Sequence, residues 1–172
     1  MISNDVSKHF KFNYYDARVG QEILQFEGTP KAILFFAEKC EKLTDYAYWF
    51  FLSTCWVSYT GFSDLELWKE LFSSERPKRK ECIMKPSEVK AYNSLPYFVT
   101  IYRAHRENEK DWIAYTLDKN IAIRFARERN VSKVSAYKIK KQHILALFTR
   151  RGEEEVIVLN KENVELIETL EI

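Results

Sequence analysis

The stretch RRGEEEVIVL, residues 150–159, sets Glu153, Glu154 and Glu155 directly before the apolar run Val156, Ile157, Val158 and Leu159. Ionised carboxylates are costly to remove from water, so three of them at the mouth of a β-like run ask for a reason. Alternate residues of a strand share a face, so Glu153 and Glu155 are expected to project together, with Glu154 pointing the other way. Two acids on one side of a strand end can form a site. A second stretch with chemical potential is IYRAH, where Arg103 closes an apolar run and His105 follows two residues on. A third is DWIAYTLDKN, where Tyr115 and Thr116 precede a helix start. His105 and His143 have no other ligand candidates at suitable spacing, so no metal site is expected.

These groups need elements to position them. Thr29 and Pro30 read as an N-cap and first helical residue, and Ile33, Phe36, Ala37, Cys40, Ala47 and Phe51 keep helical spacing after them. Ser63-Asp64-Leu65-Glu66 has capping-box spacing, and Leu65, Trp68, Leu71 and Phe72 supply an apolar face. Residues 1–95 therefore read as mostly helical. After Pro96 the pattern changes. YFVTIYRA has the β-branched and aromatic content of a strand, Asp118 caps a helix with Ile121, Ala122, Phe125 and Ala126 on its inner face, and Asn130 lies near that helix's end. KVSAYKIK, HILALFT and EEVIVL follow as strands, with NVELIETLEI a weaker one. Helices first and antiparallel strands after them make an α+β domain.

Composition limits the functional classes. In 172 residues there are 46% hydrophobic residues but only four glycines and four prolines, which excludes a disordered or low-complexity chain and fits one domain over 1–172. Cys40, Cys55 and Cys82 are odd in number and widely spaced, arguing against a disulfide framework or structural zinc and for a reducing, cytoplasmic setting. MISNDVSKHF lacks the basic start and apolar stretch of a signal peptide. YAYWFFLSTCWVSYTGF is too short and too rich in hydroxyls for a membrane span, so a buried helix and no membrane partner are expected. The net charge of +2 hides an uneven distribution: residues 76–141 hold 17 basic and 7 acidic residues, whereas 152–172 hold 1 and 7. A basic middle attracts anions, whether nucleotide, nucleic acid or an acidic protein surface.

The arginine in IYRAH, the polar-aromatic turn of DWIAYTLDKNIAIRFA and the acidic RRGEEEVIV follow one another in an order that resembles the ADP-ribosyltransferases of the arginine-directed toxin type. The chain resembles more closely an uncharacterised phage and bacterial branch of that group, with motifs similar to YRG, SWT…A..FA and R-x-E-x-E-V-I-V. The succession Trp68, Leu71, Phe72, Arg79, Met84 and Glu88 also fits that branch. The resemblance implies a helical first half followed by an ADP-ribosyltransferase-like split β-sandwich, with NAD as substrate. It makes Arg103 the clamp on the NAD phosphates, Thr116 the surviving hydroxyl of the nicotinamide pocket, and Glu155 the catalytic acid with Glu153 beside it. The residue types also let Tyr115 stack on the nicotinamide ring, with neutral packing the simpler reading, and let His105, near Arg103, line the same pocket. The chain departs from the pattern at Ala104, Trp112, Ala114 and Tyr115.

Three readings compete. The first is a mono-ADP-ribosyltransferase acting on a host macromolecule, with Glu-x-Glu leaning toward a protein arginine as acceptor and the host cytoplasm as its location. Arg103, Glu153 and Glu155 favour it. The second, favoured by Ala114 and Trp112, is an ADP-ribosyltransferase-like fold without turnover that binds a host protein or a nucleotide-like ligand. The third is nucleic-acid binding through RPKRKECIMKPSEVK, where Arg76, Lys78, Arg79, Lys80, Lys85 and Lys90 cluster. An acidic triplet is more often a solvated turn and a basic run more often a solvated loop, so each reading competes with a plain structural one.

Overall fold

A computed structural model of the chain describes residues 5–59 and 64–172. It is an α+β protein: among the described residues seven α-helices accompany a six-stranded antiparallel sheet. The chain divides into two compact units, Met1–Val89 and Lys90–Ile172.

The first unit is helical: α1 (Tyr14–Gln25), α2 (Pro30–Lys39), α3 (Asp45–Ser58), α4 (Leu65–Phe72) and α5 (Arg79–Ile83). Local chemistry sets these limits. Asn13 caps α1 by accepting the Asp16 N–H at 3.0 Å. Buried Asp16 in turn accepts the Thr44 N–H at 3.0 Å, and Thr44 caps α3. The expected start of α2 at Thr29-Pro30 is observed, but the Thr29 hydroxyl donates back to the Phe26 carbonyl at 2.7 Å and caps nothing. Ser63 lies outside the described residues. The helix after it is capped by Asp64, which accepts the Glu66 and Leu67 N–H groups. The aromatic run YAYWFFLSTCW forms α3, with Trp49 and Leu52 fully buried, each such side chain contributing roughly 1.5–3 kcal/mol. None of the described helices is long and apolar enough to cross a membrane.

The second unit carries the sheet. α6 (Pro86–Asn93) leads into it, and the Tyr92 hydroxyl donates to the Lys141 carbonyl at 3.0 Å. The strands are β1 (Phe98–Arg103), β2 (Ala114–Thr116), β3 (Lys133–Lys140), β4 (Ala146–Phe148), β5 (Glu155–Ile157) and β6 (Val164–Glu171), in the order β4-β5-β2-β1-β3-β6. KVSAYKIK is β3 from end to end, whereas the three-residue β2 lacks any alternation the sequence could show. β1 and β3 share six register pairs, but β1 and β2 share one, Tyr102 opposite Thr116. The sheet is thus two three-stranded halves joined at a single pair. α7 (Lys119–Glu128) covers one face near that seam, packing Ala122 and Ala126 against Ala104, Val134 and Tyr102.

Candidate functional site

Register assembles the first group of side chains. Tyr102, Thr116, Glu155 and Phe148 lie opposite one another across β1, β2, β5 and β4, and such a cross-strand row projects from one face. Thr116 is buried, and its hydroxyl donates to the Glu153 carbonyl at 2.7 Å and accepts the Asp118 N–H at 3.1 Å. The Leu117 N–H adds a bond to the Glu154 carbonyl at 3.0 Å. The acidic turn is therefore stapled to the link between β2 and α7. Asp118, the expected cap, accepts the Asn120 N–H at 2.7 Å and starts α7 there.

The acids themselves differ from strand alternation. β5 begins at Glu155, and Glu154 sits in the left-handed region at φ 44°, next but one to Gly152 at φ 68°. Glu153 is thus a turn residue, and no strand periodicity ties it to Glu155. Its carboxylate meets Arg151 at 3.0 Å and, from α7, Arg124 at 3.9 Å. Glu153 and Glu155 are half-buried, while Glu154 is exposed.

The second group surrounds Arg103. One residue beyond Tyr102, Arg103 turns to the opposite sheet face by alternation. Its Nε donates to Glu109 Oε2 at 3.0 Å, its Nη2 to Glu109 Oε1, and its Nη1 to the Ala114 carbonyl at 2.7 Å. Arg106 adds a third cationic contact to Glu109 at 3.5 Å. His105 Nδ1 lies 2.9 Å from Glu109, and its Nε2 lies 2.6 Å from the Tyr137 hydroxyl. Trp112 packs against His105 at 4.2 Å between ring centroids and donates from its indole nitrogen to the Tyr115 hydroxyl at 2.9 Å. Tyr115 then meets Tyr137 edge to face at 5.5 Å. The result is a continuous chain of Arg103, Glu109, His105 and Tyr137, walled by Trp112 and Tyr115.

Electrostatics follow this packing. Burial pushes the Glu109 carboxyl up, but hydrogen bonds from His105 and Arg103 and their charges outweigh it and hold the group at about 2. Burial raises the Tyr115 hydroxyl to about 12. Arg129, which donates to the Ala104 carbonyl, is lowered to about 10 by burial and then by the nearby Arg103 and Arg106.

The structure therefore brings Arg103, His105 and Tyr115 together in one group, and Thr116, Glu153 and Glu155 in another. The backbones are close, because β1 and β5 flank β2 at roughly 5 Å per strand spacing. Their side chains divide between the two faces. Three of the five Arg103 donors are occupied by protein oxygens. Sequence reasoning missed Glu109 and Tyr137: Glu109 sits in a loop without periodicity, and Tyr137 reads as an ordinary strand aromatic. In the basic run, Arg76 is committed to the carbonyls of Leu43, Cys40 and Glu41 at 2.7, 2.9 and 2.6 Å and lies over the Tyr48 ring. Among the described residues no cluster of three ligating side chains could hold a metal ion. The chain matches no protein-family model, no curated protein and no solved structure.

Proposed function

We propose that the second unit is a mono-ADP-ribosyltransferase core that takes NAD as substrate and transfers ADP-ribose to a side chain of a host protein. The observation that carries this reading is the pairing of Thr116 with Glu155 beside the one-pair seam between β1 and β2. In this reading the halves β4-β5-β2 and β1-β3-β6 correspond to the two leaves of a split β-sandwich, and the nucleotide lies at their junction.

The chemistry suits the residues. Cleavage of the bond between nicotinamide and ribose sends the bonding pair to nicotinamide and leaves oxocarbenium-like positive charge on the sugar, which the Glu155 carboxylate stabilises. The acceptor nitrogen then bonds to that carbon and gives up a proton to Glu153 or to solvent. Thr116 contributes as a staple that fixes the acidic turn, since its one O–H is already donated to the Glu153 carbonyl. With Nε and Nη2 bound to Glu109 and Nη1 to the Ala114 carbonyl, Arg103 has two N–H groups left, and a pyrophosphate competes with Glu109 for the two-nitrogen edge.

That last point favours a second reading, an ADP-ribosyltransferase-like protein that binds a host protein or nucleotide without turning NAD over. The Nε–Nη2 edge of Arg103, already taken by Glu109 and on the face opposite Glu155, supports it. Incubation of the purified chain with labelled NAD and host lysate, alongside equilibrium NAD binding, separates the two. Labelled protein and released nicotinamide establish transfer. NAD binding without either establishes the second reading, and neither binding nor transfer removes NAD from both.

A further inference from the structure

The sheet ends on β6, and among the described residues no strand pairs with its outer side. This edge is long. β6 runs eight residues, and Leu166 and Ile167 are 55% and 52% exposed. The opposite edge, β4, is three residues long and wholly buried. An extended, exposed edge presents a row of N–H and C=O groups that templates a further strand. β6 also carries Glu165, Glu168 and Glu171 with no basic residue.

The neighbour already paired with β6 shows what such a strand selects. On β3, Lys138 lies opposite Glu165 and Lys133 opposite Glu171, the latter pair at 3.4 Å. Ile139 and Tyr137 lie opposite Val164 and Leu166. Side chains alternate between faces, not between edges, and the register shifts at Ile167, the extra residue on β6, so a strand on the outer side meets Glu165 and Glu168 on one face and Val164, Leu166 and Glu171 on the other. A second copy of the chain is a poorer occupant, because β6 against β6 offers its glutamates no basic partner and, centred on Glu168, sets Glu165 opposite Glu171.

We propose that the outer edge of β6 captures, by strand addition, an extended segment of a partner protein in which lysine or arginine alternates with apolar residues. This surface is separate from the NAD chemistry, and its test does not depend on turnover.

The probe is a fluorescein-labelled peptide with the β3 sequence, KVSAYKIK, titrated with the full chain and followed by anisotropy. Two controls are the charge-inverted EVSAYEIE and a pair of KVSAYKIK peptides N-methylated at alternate residues, one for each hydrogen-bonding edge. Saturable binding of KVSAYKIK is expected, with EVSAYEIE about tenfold weaker or worse. One N-methylated peptide is expected to lose binding while the other keeps it. The double variant Glu165→Lys/Glu168→Lys is expected to prefer EVSAYEIE; should it fail to fold, the N-methylated pair still decides. Absence of saturable binding overturns the proposal. So does equal binding by both N-methylated peptides, which marks plain electrostatic adsorption, or sedimentation showing the edge covered by a second copy.

Discussion

Arg103 and Glu109 face each other through two guanidinium nitrogens and both carboxylate oxygens, with each side chain only 10% exposed. The pair ties the loop after β1 back onto the strand, and the Ala114 carbonyl extends the tie to β2. Removing Glu109 leaves the Arg103 charge, 10% exposed, without its carboxylate. Glu109→Ala is therefore expected to cost about 3 kcal/mol, read as a lower urea midpoint with an unchanged slope. A loss below about 1 kcal/mol shows instead that solvent screens the pair as it does on a surface.

The same carboxylate gives the protein a defined acid sensitivity. Glu109 is held at about 2 in the folded chain against an ordinary value of 4.5. A depressed folded value means that the stabilisation is complete above pH 4.5 and is lost as pH falls toward about 2. Urea midpoints of wild type and Glu109→Gln are expected to differ most near neutrality and to converge across that acidic window. A constant difference through the window assigns the pair no part in acid unfolding.

The sequence carries β3, the capped α7 and the helix beginning at Pro30 because each has local chemistry of its own: alternation, an Asp cap, a proline at the first position. It carries the acidic stretch as a chemical oddity but not its geometry. The left-handed Glu154 breaks the alternation that would have placed Glu153 with Glu155, and a non-glycine residue gives no local sign that it adopts that conformation. β2 is held in place by its neighbours, since three residues have too little periodicity to announce a strand. The division between the Arg103 and Glu155 faces depends on the Tyr102–Thr116 register, a long-range pairing. Glu109 escapes for the same reason: its partners are fixed by how a loop folds back.

Thr116 tests the staple between β2 and the acidic turn. Thr116→Val keeps the volume but removes a hydroxyl that donates to Glu153 and accepts from Asp118. It leaves a part-buried carbonyl and a part-buried N–H short of a partner, at an expected cost of about 1 kcal/mol. Thr116→Ser keeps both bonds and is expected to lose clearly less. Hydrogen exchange across residues 150–155 is the local readout. Faster exchange in Thr116→Val but not in Thr116→Ser is expected, and equal exchange in both shows that the turn holds without the hydroxyl.

The three glutamates separate the functional readings because the structure gives each a different setting. Glu155 lies opposite Thr116 within the sheet, Glu153 is paired with Arg151 and Arg124, and Glu154 is exposed in the turn. If Glu155 stabilises the developing positive charge on ribose, Glu155→Gln preserves shape, removes charge and lowers transfer by about a hundredfold or more. Glu153→Gln weakens its arginine contacts and, on the proposed role with the nucleophile, is expected to reduce transfer to the acceptor while sparing slow NAD hydrolysis. Glu154→Gln is expected to leave both activities unchanged. Glu154→Gly relieves the left-handed backbone and is expected to match or exceed wild-type stability. NAD hydrolysis, target labelling and urea midpoints are measured on all four variants beside wild type. Equal labelling by Glu155→Gln and wild type ends the catalytic role of Glu155, and loss of labelling together with loss of folding assigns the acid to structure rather than to chemistry.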